Sequence, residues 1–157
     1  MGVRPPADRE AKPMMSLGGI SVASNYAQAV SINGDPWSGC VLEDREAVER
    51  AQVLYPEKGY CLVQDWVLLD LAGPEESLKR IRDEGFEPTI LYSRRVVFDS
   101  RRRVDIGGWI RSMFQQSLSA EGFFETKNSV YILLGKGFRK QVALEHIFPL
   151  SKHVWSG

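Results

Sequence analysis

The sequence predicts an α+β fold, in which an antiparallel sheet of about four to six strands has two helices packed on one face. Two segments in the first half space their apolar residues as amphipathic helices do, whereas most segments after Glu87 are rich in β-branched and aromatic residues. Early helices and late strands are typical of α+β domains rather than of alternating parallel folds. The chain has 157 residues, 43% of them hydrophobic, which suffices for one domain, assigned here to residues 14–157.

The first forty residues give weaker signals. Residues 1–13, MGVRPPADREAKP, are rich in proline and charge, so we expect a disordered N-terminal extension. Residues 21–30, SVASNYAQAV, suit a short helix because alanine and glutamine tolerate one. Residues 33–39, NGDPWSG, predict a loop, since Gly, Pro, Asn and Asp all favour turns.

Two helices and a buried strand are predicted next. The segment EDREAVERAQVLYP predicts an amphipathic helix that begins near Asp44 and ends before Pro56. Residues 60–71, YCLVQDWVLLDL, are apolar enough to predict one buried strand or a strand pair. Residues 74–85, PEESLKRIRDEG, predict a second helix with Gly85 just beyond its end.

The second half of the chain predicts strands. Segments 89–100 and 109–118 have strand composition, and a hairpin follows in which Lys127-Asn128 joins FFET to SVYILLG. Asn128 is expected to adopt the positive φ that a primed turn requires. A last short strand or turn, FRKQVAL, follows a glycine-containing bend.

Residues that commonly hold metals or nucleotides are sparse. The two cysteines, Cys40 and Cys61, and the two histidines lack the paired spacing of a structural zinc site. We expect both thiols to be reduced, although the sequence leaves a single disulfide open. The GKG at 135–137 lacks the GxxxxGK[ST] spacing of a phosphate loop. No cofactor is therefore predicted.

The sequence also bears on location. It has no apolar run of the roughly 18–20 residues that span a bilayer. Residues 1–13 lack the apolar core of a secretory signal. We therefore expect a cytoplasmic protein that does not associate with membranes.

Net charge is zero overall but unevenly distributed along the chain. Residues 43–87 contain twelve acidic and six basic side chains, whereas residues 94–140 contain ten basic and four acidic ones. An asymmetry of this kind bears on partners rather than on fold. It is compatible with a cationic surface for an acidic partner, or with a homodimer whose acidic and basic halves pair.

The basic half supplies the candidate binding residues. If the late strands form a meander, its cations lie on one sheet edge and present donors to phosphates or carboxylates. Tyr92, Trp109 and Tyr131 lie among them and are candidates for stacking on bases. The predicted binding residues are Arg101, Arg102, Arg103, Arg111, Lys136, Arg139 and Lys140.

Three alternatives remain open for these polar residues. The cations are also explained as solvent-facing charges that keep strand edges from aggregating. Asp65, Asp70 and Asp99 are candidate Mg²⁺ ligands of a small nuclease or hydrolase. Cys61 with His146 as its base is a candidate nucleophile, provided that the fold brings the two together.

The C-terminal half resembles a family of small uncharacterised bacterial and phage-associated domains. The shared pattern is V-x-D-S, then G-x-W-[IV]-R-S, then F-x-T-x-N-[ST]-[VI]-Y-x-L-x-G-x-G, over roughly residues 60–142. The matching positions are Val97, Asp99, Ser100, Gly107, Trp109, Arg111, Ser112, Phe124, Thr126, Asn128, Tyr131, Leu133, Gly135 and Gly137. The resemblance brings no known activity, so it transfers no catalytic role to any residue. It implies a bacterial or mobile-element origin, and small proteins of that origin often bind and block a larger complex.

We therefore predict a non-enzymatic binding protein whose arginine-rich face engages an acidic protein complex or nucleic acid. An inhibitor of a bacterial defence system, similar to an anti-CRISPR protein, is the concrete form that the resemblance implies. A small hydrolase or nuclease and a structural homodimer are the alternatives.

Overall fold

The computed structural model describes the backbone of residues 22–149 and the side chains of residues 25–149. The extension predicted for residues 1–13 lies outside the described residues. The described part of the chain forms four helices and eight strands. In chain order these are α1 (Val22–Ala29), β1 (Asp35–Ser38), α2 (Asp44–Leu54), β2 (Gly59–Ala72), α3 (Glu75–Asp83), β3 (Thr89–Asp99), β4 (Ile110–Arg111), β5 (Ser117–Leu118), β6 (Phe123–Glu125), β7 (Ser129–Leu133), β8 (Lys136–Ala143) and α4 (Leu144–Ile147).

The long strand β2 organises a mixed, curled sheet. On one side β2 pairs with antiparallel β3. On the other side it pairs with β7 in its first half and with β8 in its second half, both parallel to it. β1 pairs with β8 at one edge, β6 and β5 follow β7, and β4 lies beside β3. β7 and β8 are thus successive stretches of one run of chain, separated at Gly135, where φ is 68°.

The predicted fold class is wrong. The sheet has eight strands rather than four to six, it includes parallel pairings, and four helices rather than two occur among the described residues. The prediction assumed that the chain folds back after β7 as a meander, whereas β8 continues in the same direction along β2. Most of β2 and all of β7 are buried on both faces, as strands in parallel pairings commonly are.

Helices cover one face of the sheet. Val67 on this face of β2 belongs to the same apolar cluster as Val30, just after α1, and Leu144 of α4. Nearer the start of β2, Leu62 packs with Ala47 and Ala51 of α2, which lie one helical turn apart. Within the described part of the chain, no helix has the length and apolar character needed to cross a membrane.

The opposite face of β2 lies inside the curl. Cys61, Val63, Trp66 and Leu68 are all buried there in one cluster. Strict alternation would place Trp66 on the face opposite Val63. A local irregularity at Asp65, where φ is 48°, restores both to the same face.

Trp66 marks the point at which β7 gives way to β8. Its indole Nε1 donates a hydrogen bond to the carbonyl oxygen of Leu134 at 3.0 Å. A Cβ at Gly137 would lie 2.3–2.5 Å from the indole ring, and one at Gly39 would lie 2.8 Å from it. Glycine at both positions therefore lets the backbone approach the buried ring closely.

Several local predictions are confirmed. Helices occupy the segments predicted for α2 and α3, β2 is one buried strand, and β6 and β7 form the predicted hairpin. Gly85, just beyond α3, has a φ of 95°, as expected for a residue that follows a helix end. These predictions depend only on local composition and spacing.

Other local predictions are wrong. The predicted loop at 33–39 contains β1, where Pro36 is tolerated because β1 is an edge strand. Asn128 does not have a positive φ. The hairpin turn is closed instead by Thr126, whose N–H donates to the carbonyl oxygen of Ser129 at 2.8 Å. The strand predicted after residue 108 is reduced to the short β4 and β5.

Candidate functional site

A groove of about 680 Å³ lies beside β4. Its lining comes from α1, the connection after β3, β4 and β7, and comprises Tyr26, Arg103, Val104, Trp109, Ile110, Arg111 and Tyr131. We call it the arginine–aromatic groove. Its volume is in the range of ligand pockets, about 300–1,000 Å³. The described lining residues provide three aromatic rings and two guanidinium groups but no carboxylate.

Arg111 is an exposed cation in contact with two aromatic rings. Its guanidinium carbon lies 5.9 Å from the ring centre of Tyr26 and 5.0 Å from that of Phe148, which are cation–π distances. Among the described residues, no carboxylate and no hydrogen-bond acceptor contacts this guanidinium. Its planar donors are therefore oriented by the two rings and available to a partner.

Arg103, in contrast, is fixed by Asp99. The Asp99 side chain is 0% exposed and accepts hydrogen bonds from the backbone N–H, Nε and Nη2 of Arg103 at 2.8–2.9 Å. Nη1 of Arg103 donates to Oγ of Ser129 at 3.0 Å. Burial acts to raise the pKa of Asp99, but the hydrogen bonds from Arg103 outweigh it and hold that pKa below its ordinary value of 3.8. Arg103 thus lines one side of the groove in a fixed position, and its positive charge is largely neutralised by Asp99.

Two buried titratable groups, Tyr131 and Cys61, lie close to Arg103. Burial raises the pKa of the Tyr131 phenol, which the nearby Arg103 charge partly offsets. Burial, followed by the charge of Asp99, raises the pKa of the Cys61 thiol to about 12. A thiol with this pKa stays protonated at neutral pH, and only the thiolate is an effective nucleophile.

Arg101 and Arg102 extend the basic character of this end of the sheet into solvent. The N–H of Arg102 donates to the carbonyl oxygen of Asp99 at 2.9 Å, and Arg102 has a φ of 55°. The side chain of Arg101 lies over Gly59, where a Cβ would come within 2.5 Å of its Nε. Both arginines are exposed, and neither forms an ion pair with a described carboxylate. Asp99 therefore shapes a turn that presents two cations without a described carboxylate partner.

Arg139 and Lys136 lie on β8, away from the groove. Arg139 donates from Nε and Nη2 to the carboxylate of Asp70 at 2.8 and 2.9 Å, and its guanidinium lies 4.8 Å from the ring centre of Trp37. Lys136 is exposed in the same strand. The charge of Arg139 is therefore balanced within the protein.

Lys140 closes the end of α1. Its ammonium donates to the carbonyl oxygens of Gln28 and Ser31 at 3.2 and 3.0 Å and to Oδ1 of Asn33 at 2.8 Å. Burial lowers the pKa of Lys140. These acceptors account for the ammonium donors, so Lys140 serves to hold α1 and the segment after it against β8.

The structure divides the predicted cationic residues into two groups. Asp99 pairs with Cys61 near the start of β2, whereas Arg139 pairs with Leu68 further along the strand. At about 3.3 Å per residue, these positions are about 23 Å apart along β2. The first group, at or next to the groove, is Arg101, Arg102, Arg103 and Arg111; the second, on β8, is Lys136, Arg139 and Lys140. This distance separates the β8 cations from the turn that carries Arg101, Arg102 and Arg103. Arg111 pairs with Tyr92, level with Val67 of β2, and is separated from β8 across β3 and β2 instead.

The residues of the catalytic alternatives are not brought together. Asp70, on β2, is opposite Thr89, the first residue of β3, whereas Asp99 is the last residue of β3. Asp65 is exposed on β2, at a position between these two ends of the paired strands. In the described part of the chain, no three His, Cys, Asp or Glu side chains are grouped to hold a metal ion. Cys61 lies near the start of β2, whereas His146 lies in α4, beyond the other end of that strand.

The aromatic residues were partly predictable. Trp109 and Tyr131, proposed for stacking, both line the groove, whereas Tyr92 packs against Trp109 at a ring-centre distance of 6.0 Å. Tyr26 was not predicted as a site residue, because nothing local in the sequence indicates that α1 docks near β4. Val104 and Ile110 also have no distinguishing sequence signal.

The described residues form a small domain built on a curled mixed sheet, with the arginine–aromatic groove beside β4. Residues 38–149 match the family described as a domain of unknown function (DUF6957), which is more than half of the chain. The protein therefore belongs to this family, and the expectation of an uncharacterised domain family is confirmed. No curated protein and no solved structure matches the chain significantly. The family match includes every lining residue of the groove except Tyr26.

Proposed function

We propose that this protein is a non-enzymatic binding protein that engages an acidic partner protein through the arginine–aromatic groove and the adjacent Arg101-Arg102 turn. The observation that carries the proposal is the state of Arg111, which is exposed, oriented by two rings and without a described carboxylate partner. Arginine is enriched at binding hot spots because its planar donors and stacking surface act together.

The charge distribution favours a protein partner over nucleic acid. A nucleic-acid binder commonly neutralises several phosphates, about 6–10 in well-studied cases. Here the net charge is zero, and Arg103 and Arg139 are already paired with carboxylates. The groove adds rings and aliphatic side chains, which are typical of the buried centre of protein interfaces. A phage-type inhibitor of a bacterial defence complex is one concrete form of such a binder.

The chemistry of the site favours binding over catalysis. The Cys61 thiol has a pKa raised to about 12, so it is a poor nucleophile. The carboxylate of Asp99 is occupied by Arg103 and is not available as a base or a metal ligand. Binding is therefore the role that these side chains support best.

Affinity capture from a bacterial lysate tests this proposal. We expect one dominant protein partner that nuclease treatment does not remove and that Arg111→Ala loses. Arg80→Ala is the matched control, because Arg80 is exposed on α3, outside the groove, and its removal changes the net charge equally. Equal capture by wild type and Arg111→Ala, or loss of the partner on nuclease treatment, contradicts the proposal.

Self-association is measured separately by size-exclusion chromatography at low and high salt. A monomer at both salt concentrations is expected. A dimer that loosens as salt rises would favour pairing of the acidic and basic halves, since added ions screen such contacts, and would replace the proposal.

A further inference from the structure

We infer that the arginine–aromatic groove takes an anchor of two neighbouring side chains from an acidic protein segment, namely a carboxylate and a flat apolar group. The inference rests on the proposed function and specifies the chemistry that the same site recognises. It follows from the arrangement of charge and apolar surface within the groove.

The carboxylate is assigned to Arg111. A guanidinium presents parallel N–H donors that match the two oxygens of a carboxylate. The contacts with Tyr26 and Phe148 restrict how the Arg111 guanidinium turns, so fewer rotamers are lost on binding. Since no described carboxylate lines the groove, an incoming one meets no described negative charge there.

A single negative charge fits better than a phosphate dianion. Asp99 neutralises Arg103 by accepting from Nε and Nη2, which leaves Arg111 as the cation in the lining without a described counterion. One carboxylate balances this charge, whereas a phosphate group would leave excess negative charge close to buried Asp99 and Tyr131. Charge complementarity therefore selects Asp or Glu.

The apolar group is assigned to the rest of the lining. Val104, Trp109 and Ile110 lie along the chain between the two arginines and supply aliphatic and aromatic surface. Trp109 is half-buried and already packs on Tyr92, so its ring is held in place for stacking. A flat side chain beside the carboxylate would cover this surface and exclude water from the Arg111 ion pair, which strengthens it.

Titration of the full ¹⁵N-labelled chain with the blocked dipeptide N-acetyl-Phe-Glu-amide tests the inference. We expect the indole N–H signal of Trp109 to shift and to saturate at millimolar peptide. The neutral dipeptide N-acetyl-Phe-Gln-amide and the non-aromatic N-acetyl-Gly-Glu-amide should each bind at least tenfold more weakly, since they lack one half of the anchor.

Variants identify the residue responsible. Arg111→Ala should abolish the shift of the Trp109 signal, and Arg111→Lys should weaken binding several-fold, because an ammonium keeps the charge but not the planar fork. Arg80→Ala should bind as wild type does. Retained dispersion of the backbone amide signals shows that each variant is folded.

Three results would overturn the inference: equal binding of the Glu and Gln dipeptides, a shift that persists in Arg111→Ala, or tighter binding of inorganic phosphate than of the Glu dipeptide. If the dipeptide fails while lysate capture still depends on Arg111, the anchor is wrong and the binding function stands. If the Arg111→Ala variant captures the partner from the lysate as well as wild type does, both the anchor and the proposed binding function are wrong.

Discussion

Loss of the Asp99 charge is expected to destabilise the protein strongly. The carboxylate of Asp99 accepts three hydrogen bonds from Arg103 at 2.8–2.9 Å. Asp99→Asn keeps the shape of this side chain but removes its negative charge. Removing one partner of a buried ion pair costs about 3–5 kcal/mol because the other charge is left uncompensated. The Arg103 side chain is 40% exposed and can be partly rehydrated, so we expect a loss of about 3 kcal/mol in the free energy of unfolding.

Asp70→Asn is the matched control. Asp70 also accepts two hydrogen bonds from an arginine, Arg139, but its side chain is 37% exposed. Partly exposed ion pairs contribute less because water and salt screen them, so the expected loss is about 1 kcal/mol. Urea denaturation followed by tryptophan fluorescence measures both variants. Equal losses for Asp99→Asn and Asp70→Asn would refute the reasoning.

The Asp99 effect should also depend on pH. Because its pKa is lower in the folded protein than the ordinary value of 3.8, the carboxylate stabilises the fold while it is ionised. This stabilisation is fully present above the unfolded-state pKa and is lost as the pH falls through the lower folded-state pKa. The stability difference between wild type and Asp99→Asn should therefore be constant near neutral pH and shrink below 3.8. A difference that does not change on acidification would show that the charge is not responsible.

Two further predictions concern the inner face of the sheet. Gly137→Ala should lower the free energy of unfolding by about 2–3 kcal/mol, because the new Cβ would clash with the ring of Trp66. Gly107→Ala is the control: Gly107 has a φ of 88° and open space around it, so its substitution should cost about 1 kcal/mol. Equal losses of stability in urea denaturation would contradict this. The Cys61 thiol, with a pKa of about 12, should not react with a thiol-specific disulfide reagent at pH 8 until urea unfolds the protein, and neither should buried Cys40. Rapid modification of Cys61 in the native protein would argue against its placement.

The elements that the sequence predicts well are those defined by local spacing. Ala47 and Ala51 repeat at the helical interval, and Gly85 marks the end of α3 by a conformation that glycine adopts easily. The pairing of the strands is not local. β7 joins β2, about 70 residues earlier, and the change of neighbour from β7 to β8 depends on how Gly135 and Gly137 fit around Trp66. No periodicity within either segment encodes this contact.

The candidate site shows the same limit. Arg103 and Arg111 were predicted as binding residues and do line one groove, because Arg103 lies in the connection from β3 to β4 and Arg111 lies in β4 itself. Arg139 was predicted on the same grounds, yet it pairs with Asp70, 69 positions earlier in the sequence. Whether an arginine is paired or available is decided by such distant carboxylates, so composition alone did not separate the two groups.

The placement of these carboxylates explains how a chain with zero net charge can carry a cationic site. The acidic first half supplies Asp70, which neutralises Arg139, and the ammonium of Lys140 is hydrogen-bonded to oxygen atoms at and just after the end of α1, so these two β8 cations are engaged within the protein. At the other end of β2, Asp99 uses its single charge to fix Arg103 and the turn that carries Arg101 and Arg102. Among the described cations that have no described carboxylate partner, Arg111 is oriented by contacts with two aromatic rings and lines the groove. Under the proposed binding function, an oriented guanidinium of this kind would favour one shaped acidic segment over general attraction to polyanions, because generic attraction grows with the number of unpaired charges whereas specificity grows with their orientation.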